Sequence, residues 1–80
     1  MGSRSASELF RRAGHNVARI RKMRRLTQAQ LAEILNVEPD YIGRIERGKE
    51  NLTLRSLARL SEALGVDPST LVQRAELEKK

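Results

Sequence analysis

Two helical segments joined by a very short turn constrain this chain most. Thr27 followed by Gln30 fits a capping box, so a helix starts at about Gln28. Asn36 tolerates the left-handed conformation that closes a helix. Pro39 favours a new start, because its missing N–H costs nothing at the first helical position. Since so few residues separate the two helices, they have to cross steeply rather than lie side by side.

Three further helical segments flank this pair, and the sequence shows no strand pattern. The first helix of the chain starts at Ser7. The helix that Pro39 begins is the third in the chain, and it runs to about Arg47, where Gly48 stops it. Thr53 caps the fourth helix and Pro68 opens the fifth. The apolar positions expected to face inward are Phe10, Ala13, Val17, Ile20, Leu31, Ala32, Leu35, Val37, Ile42, Ile45, Leu54, Leu57, Leu60 and Leu64.

The fold class predicted from this spacing is all-α, a compact five-helix bundle that contains a helix-turn-helix. A chain of 80 residues is long enough for one domain only. We expect residues 1–6 and 79–80 to be tails and residues 7–78 to form the domain, with the helix-turn-helix at about 28–47 and a last helix from about 68.

The positive charge is concentrated towards the N-terminus. The net charge is +6 and the isoelectric point is near 10.8. Residues 1–30 carry eight basic side chains and one acidic one, whereas residues 31–80 carry eight basic and nine acidic. This excess indicates a polyanionic partner, either nucleic acid or a membrane surface. We expect no membrane partner, because the first helix needs its apolar face for packing.

The residue types exclude several functional classes. With no Cys and one His, the chain lacks a disulfide framework or a ligand cluster, and neither metal nor cofactor is expected. His15 stands among arginines, and no serine has visible His and carboxylate support, so we expect no enzyme. Phe10 and Tyr41 are too few for the stacking surfaces of single-strand readers. Without a spanning helix or secretory signal, a cytoplasmic location is expected.

Several ordered motifs resemble the Cro and phage-repressor type of helix-turn-helix family, also called the xenobiotic-response-element type. They run from about residue 17 to residue 72 and comprise Val17…Ile20-Arg21, Leu26-Thr27-Gln28…Leu31-Ala32, Tyr41-Ile42-Gly43-Arg44-Ile45-Glu46-Arg47-Gly48-Lys49 and Leu60…Ala63-Leu64-Gly65-Val66. The stretch from Asp40 to Arg47, followed by Asn51-Leu52-Thr53, is also similar to the controller proteins of restriction–modification systems.

The resemblance implies a lambda-repressor-like bundle that binds double-stranded DNA as a homodimer and regulates transcription. Arg21 and Glu46 fall where the family has an ion pair between the first and third helices. The third helix would enter the major groove. The positions implied on its exposed face are Pro39, Asp40, Gly43, Arg44 and Arg47. The residues implied to contact DNA are Thr27, Gln28, Pro39, Asp40, Tyr41, Gly43, Arg44, Arg47, Lys49 and Asn51.

Four of these positions keep two interpretations each. Arg44 either reads guanine in a bidentate manner or clamps a phosphate. Gln28 either contacts phosphate or only supports the capping box. Asp40 either accepts from a cytosine amine or caps the third helix. Tyr41 either meets the DNA backbone or packs against the second helix.

Four positions depart from the family pattern. Ser61 replaces a small apolar residue that is usual in the fourth helix. Pro39 and Gly43 stand where polar readers are usual, which predicts few base contacts and a larger share for DNA shape. Arg25 replaces a glycine that is usual before Leu26-Thr27.

A dimer of so short a chain would have to use its last helix, and the end of the fourth helix is a further candidate. The predicted contacts are Leu71, Val72, Ala75 and Leu77. Leu71 and Val72 have the alternative of completing the monomer's core. The rival function is an interaction module that holds a protein partner, as antitoxins of this family do.

Overall fold

Five helices make up the part of the chain that our computed structural model describes, residues 6–74. They are α1 (Ala6–Met23), α2 (Gln28–Leu35), α3 (Pro39–Glu46), α4 (Leu54–Leu64) and α5 (Pro68–Val72), and no strand lies within those residues. The predicted all-α class and the five-helix count are confirmed. α1 begins at Ala6, one residue before the predicted start.

The helix ends follow the predicted capping residues. Thr27 Oγ1 accepts from the Gln30 amide at 3.0 Å, and Gln30 Oε1 accepts from the Thr27 amide at 2.8 Å, which completes the capping box. Asn36 closes α2 with a φ of 60°. Thr53 Oγ1 accepts from the Ser56 amide at 3.0 Å at the start of α4. These boundaries are therefore set by bonds between near neighbours in the sequence.

Aliphatic side chains from all five helices form one core. The buried cluster comprises Val17, Ile20, Leu31, Ala32, Leu35, Ile42, Ile45, Leu60, Leu64 and Leu71. α1 and α3 approach so closely at Gly14 that an added Cβ would lie 2.1 Å from the Ile45 carbonyl oxygen. α3 is therefore seated directly on α1 as well as on α2.

One predicted core position is wrong. Leu54 is 85% exposed, although it is in helical register with Leu57. Leu60 and Leu64 define the buried face of α4, and at 100° per residue Leu54 lies about 120° around the helix from Leu60. Leu54 is also the first residue of the helix, where no neighbouring element covers it.

A buried asparagine ties α5 to α1. Asn16 is fully buried, and its Nδ2 donates to the carbonyl oxygens of Leu71 at 2.9 Å and Gln73 at 2.8 Å. α5 ends at Val72, because the chain turns to extended backbone at Gln73. The predicted contacts Ala75 and Leu77 lie outside the described residues.

Two arginine side chains donate hydrogen bonds to backbone carbonyls at the ends of helices. Arg24 Nε donates to the Leu64 carbonyl oxygen at 2.8 Å, and Arg59 Nη2 donates to that of Leu35. Both carbonyls belong to last turns of helices, where backbone acceptors lack intrahelical partners and a positive charge is favourable. Part of the chain's positive charge therefore stabilises the bundle.

Candidate nucleic-acid interface

A nearly buried ion pair fixes α3 against α1. Arg21 Nε lies 2.6 Å from Glu46 Oε2, and Arg21 Nη2 donates to Glu46 Oε1 at 3.0 Å. Arg21 Nη1 donates to the Leu26 carbonyl oxygen at 2.8 Å. The structure thus brings together the two residues that the family resemblance pairs. Because the arginine's planar fork makes both bonds to one carboxylate, the pair fixes orientation as well as distance.

Gln28 joins the same cluster from the start of α2. Its Nε2 donates to Glu46 Oε1 at 2.9 Å, while the capping box is formed by Thr27 and Gln30. The interpretation of Gln28 as a support of the capping box is therefore wrong. Thr27 is exposed, with its hydroxyl engaged at the Gln30 amide, and Gln28 is exposed beside it at the N-terminus of α2.

Gly43 does not lie on an open face. It is buried, and an added Cβ would lie 3.2 Å from Arg47 Nη1 and 3.8 Å from Gln28 Oε1. The prediction that Gly43 is exposed is wrong, because the side chains of Arg47 and Gln28 cover it. Small size at this position leaves room above the helix backbone for the Gln28 side chain from α2 and the Arg47 side chain from the residue after α3.

Arg44 is held by two carboxylates. Its Nη1 lies 2.7 Å from Asp40 Oδ2, one helical turn earlier, and its Nε lies 2.9 Å from Glu50 Oε1, in the loop after α3. The hydrogen bond to Glu50 is the largest cause that raises the pKa of Arg44. The guanidinium carbon lies 5.8 Å from the centroid of the Tyr41 ring, within reach of a cation–π contact.

These contacts place two more side chains of α3. Glu38 is the N-cap residue of the helix, and Asp40 pairs with Arg44, so Asp40 does not cap. Tyr41 is half-buried and packs against the core, near Leu35. Its ring therefore lies between the core and Arg44.

The remaining predicted contacts surround the two ends of α3. Pro39 and Asp40 are exposed at its start, and Arg47, Lys49 and Asn51 are exposed at and beyond its end. The Lys49 amide donates to the Arg44 carbonyl oxygen at 2.9 Å, which folds the loop back on the helix.

Two residues near this surface were not predicted. Glu50 pairs with Arg44, and the backbone and side chain of Arg11 lie against Gly48 at the end of α3. The spacing of four residues between Asp40 and Arg44 is visible in the sequence as a helix ion pair. Glu50 and Arg11 give no such signal, because their contacts depend on how the loop and α1 pack.

An apolar groove lies on other helices. It is lined by Leu9, Leu54, Leu57, Ala58, Pro68, Ser69 and Val72. These residues belong to α1, α4 and α5, and none belongs to α2 or α3. Val72 is one of the predicted dimer contacts and is half-buried here. Leu71 is fully buried in the monomer, so its assignment to the dimer interface is wrong.

Residues 6–74 contain neither a metal-binding cluster nor a membrane-spanning helix. In this range no group of three or more His, Cys, Asp or Glu side chains is placed to hold a metal ion. None of the helices described there is both long and apolar enough to cross a membrane.

Comparisons with known proteins agree with the family resemblance. A family model described as helix-turn-helix matches residues 17–71. The chain is 40% identical to the immunity repressor protein of Bacillus phage phi105 over 67 residues, which are 84% of this chain and 46% of the repressor. It is 40% identical to the control protein C.SmaI of Serratia marcescens over 62 residues, which are 78% of this chain and 74% of that protein.

A solved structure shows the same arrangement of helices. The restriction–modification controller protein C.AhdI from Aeromonas hydrophila superposes with a TM-score of 0.73 at 29% identity, over 78% of this chain and 94% of that one. The names of these three proteins describe regulators rather than enzymes. The chain spans less than half the length of the phage repressor, so that repressor's whole activity is not carried over.

Proposed function

Because this chain belongs to the helix-turn-helix family of DNA-binding transcription regulators, we propose that it binds a specific double-stranded DNA sequence as a homodimer. Its operator is then near-palindromic, since a twofold dimer presents two identical reading surfaces. We also propose a cytoplasmic location, where such a regulator meets its DNA.

The observation that carries the proposal is the position of Arg44 on α3. The side chain is partly exposed, and the helix that bears it is held on α1 through Arg21 and Glu46. An eight-residue helix is about 12 Å long, comparable with the width of the major groove. A rigidly seated short helix can therefore present one arginine to base edges at a defined angle.

Exposed groups at the start of α2 and beyond the end of α3 support the proposal. The helix dipole and the backbone amides at the α2 N-terminus favour an anion, and Gln28 lies there with its side chain exposed. Lys49 and Asn51 offer a cation and an amide on the other side of α3. In this proposal these residues contact phosphates and fix the protein's register on the duplex, while Arg44 supplies sequence preference.

The apolar groove supports the homodimer. It exposes Leu54 by 85% and Leu9 by 42%, and contiguous apolar surface of this kind is typical of an interaction site. A second copy seated there would leave α2 and α3 open to DNA, since neither helix contributes to the groove. The two α3 helices of the dimer would then reach half-sites about 34 Å apart.

The experiment is a binding titration against the DNA upstream of the protein's own coding sequence and against a scrambled duplex, each at two salt concentrations. Arg44→Ala is compared with Arg55→Ala, which removes the same charge from an exposed position on α4. We expect the upstream duplex to bind more tightly at the higher salt. Arg44→Ala should lower that preference about tenfold or more, and Arg55→Ala should leave the ratio unchanged.

A lack of sequence preference would count against the proposal. If both duplexes bind alike and both weaken steeply with salt, the positive charge gives only non-specific attraction. The sequence-specific function would then be rejected, and the rival function as a module for a protein partner would be tested next by co-purification.

A further inference from the structure

We propose that the two carboxylates bound to Arg44 have opposite effects on DNA reading: Glu50 orients the guanidinium for a guanine, and Asp40 competes with that guanine. The inference rests on the proposed DNA-binding function and adds specificity-determining residues to it. Glu50 acts through Arg44 and is therefore a positioning residue.

Glu50 engages the one donor that sets the direction of the arginine fork. Arg44 Nε carries a single hydrogen, and it donates that hydrogen to Glu50 Oε1 at 2.9 Å. The guanidinium is planar, so fixing Nε leaves Nη1 and Nη2 as the edge available for the O6 and N7 atoms of guanine. The Glu50 side chain is 26% exposed and comes from the loop, which anchors Arg44 from outside its own helix.

The Tyr41 ring supports the same orientation from another direction. Its centroid lies 5.8 Å from the guanidinium carbon, and the ring itself is packed against the core. A guanidinium within about 6 Å of an aromatic centroid is attracted to the ring. Glu50 and Tyr41 together therefore restrict where the fork lies, so less conformational freedom is lost when two bonds to guanine form.

Asp40 occupies the reading edge. Its Oδ2 lies 2.7 Å from Arg44 Nη1, one of the two nitrogens that guanine would use. The Asp40 side chain is 79% exposed, and an exposed ion pair of this i,i+4 type is weak, so DNA can displace it. After displacement the carboxylate lies near phosphates and guanine acceptors, all of which repel it. Removal of its charge should therefore strengthen binding.

The two acids together favour guanine over phosphate. With both pairs formed, the positive charge of Arg44 is compensated, so it adds little to the non-specific attraction of the surface. A phosphate accepts an arginine in many orientations, whereas guanine accepts it bidentately in one. An arginine whose direction is fixed therefore gains more at guanine than at phosphate.

The test begins with the 80-residue chain and a pool of duplexes randomised over about 20 base pairs, enough for two half-sites. The selected duplex is then prepared with 7-deazaguanine at each guanine in turn, which removes the N7 acceptor. We expect one guanine per half-site at which this change weakens wild-type binding about tenfold. Arg44→Ala should abolish that penalty.

Substitutions of Glu50 and of Asp40 should affect DNA binding in opposite ways. Glu50→Ala should lose most of the 7-deazaguanine penalty, and Glu50→Gln, which keeps an acceptor for Nε, should retain a larger part of it. Asp40→Asn should bind the selected duplex and its 7-deazaguanine form more tightly, and the penalty between the two should remain. Circular dichroism melting of each variant checks the fold, and a purely structural role of Glu50 would weaken all duplexes alike and leave the penalty unchanged.

Each contrary result overturns a stated part of the inference. An undiminished penalty in Glu50→Ala removes the positioning role and leaves the proposed function standing. Weaker specific binding by Asp40→Asn shows that Asp40 reads a base instead of competing. If no guanine of the selected duplex is sensitive to both 7-deazaguanine and Arg44→Ala, the inference is overturned and the proposed function stands. A pool from which the wild type enriches no sequence overturns the proposed function as well.

Discussion

Arg21 and Glu46 join the C-terminal part of α1 to the last residue of α3 through two hydrogen bonds, with side chains that are only 9% and 8% exposed. A pair this little exposed is costly to break, because the remaining charge keeps its desolvation penalty without its partner. The pair therefore controls how α3 is seated, although its net stabilisation relative to apolar residues is small.

Glu46→Leu should lower the free energy of unfolding by about 3 kcal/mol, because it leaves the Arg21 charge unpaired. Arg21→Met combined with Glu46→Leu should be less destabilised than Glu46→Leu alone. The measurement is urea unfolding followed by circular dichroism, completed with Arg21→Met as a double-mutant cycle. Effects that simply add would show that the two side chains are not coupled.

Arg25 adopts the left-handed conformation, with a φ of 62°, at the end of α1. Its amide donates to the Lys22 carbonyl oxygen at 2.9 Å, and the Leu26 amide donates to that of Arg21 at 3.1 Å. The turn is therefore fixed by hydrogen bonds, and a residue with a Cβ is strained in it. This explains physically why a glycine is usual here in the family.

Arg25→Gly should raise the free energy of unfolding by up to about 1 kcal/mol, because glycine adopts this conformation without the Cβ clash. Arg25→Ala is the matched control, since it removes the same charge and keeps the strain. Thermal unfolding of the three proteins gives the comparison. Equal stabilisation by alanine and glycine would assign the gain to loss of charge repulsion and reject the strain.

The helix boundaries were predictable because they depend on neighbouring residues. Thr27 with Gln30, Asn36, and Thr53 each satisfy backbone groups within three or four positions, so their spacing alone indicates the helix end. The Arg21–Glu46 pair spans 25 positions and was accessible only through the family resemblance.

The errors occur where packing between distant segments decides exposure. Leu54 follows the three-residue spacing to Leu57, but it starts α4 away from the buried face, where no element covers it. Gly43 is covered by side chains from the start of α2 and from the residue that follows α3. Glu50 reaches Arg44 because the loop folds back after α3. A periodic pattern specifies which side of a helix a residue occupies, but it does not specify what lies opposite that side.

Asp67 gives the stability a dependence on pH. As the N-cap residue of α5, its Oδ1 accepts from the Ser69 amide at 2.9 Å and from the Ser69 hydroxyl at 2.7 Å. The backbone hydrogen bond is the largest cause that lowers the pKa of Asp67. The folded state thus binds this proton more weakly than the unfolded state. The contribution of ionised Asp67 to the free energy of unfolding is therefore fully present above the unfolded pKa of about 3.9, and it is lost as pH falls through the lower native pKa.

Asp67→Asn isolates this effect, because the variant retains a capping oxygen but cannot titrate. We expect the wild type to be the more stable protein at neutral pH, and the difference between the two to shrink as pH falls below about 4. Urea unfolding of both proteins at a series of pH values measures that difference. The contributions of the other carboxylates are common to both proteins and cancel. A difference that is constant with pH would show that the cap does not depend on ionisation.

Leu54 tests the proposed dimer interface. Leu54→Asp places a charge in the apolar groove without disturbing the core, since the residue is 85% exposed. Burying a carboxylate there costs free energy, and the leucine's own apolar contribution is lost from both copies. We therefore expect the dimer dissociation constant in analytical ultracentrifugation to rise about tenfold or more.

Ile34→Asp is the control, because Ile34 is 55% exposed on α2 and does not line the groove. It should leave dimerisation unchanged. In DNA titrations Leu54→Asp should weaken binding to a duplex with two half-sites more than binding to a single half-site, since the first depends on the dimer. A wild-type chain that is monomeric at high concentration would overturn the proposed homodimer. A Leu54→Asp variant that dimerises like the wild type would move the interface away from this groove, to the predicted contacts that follow α5.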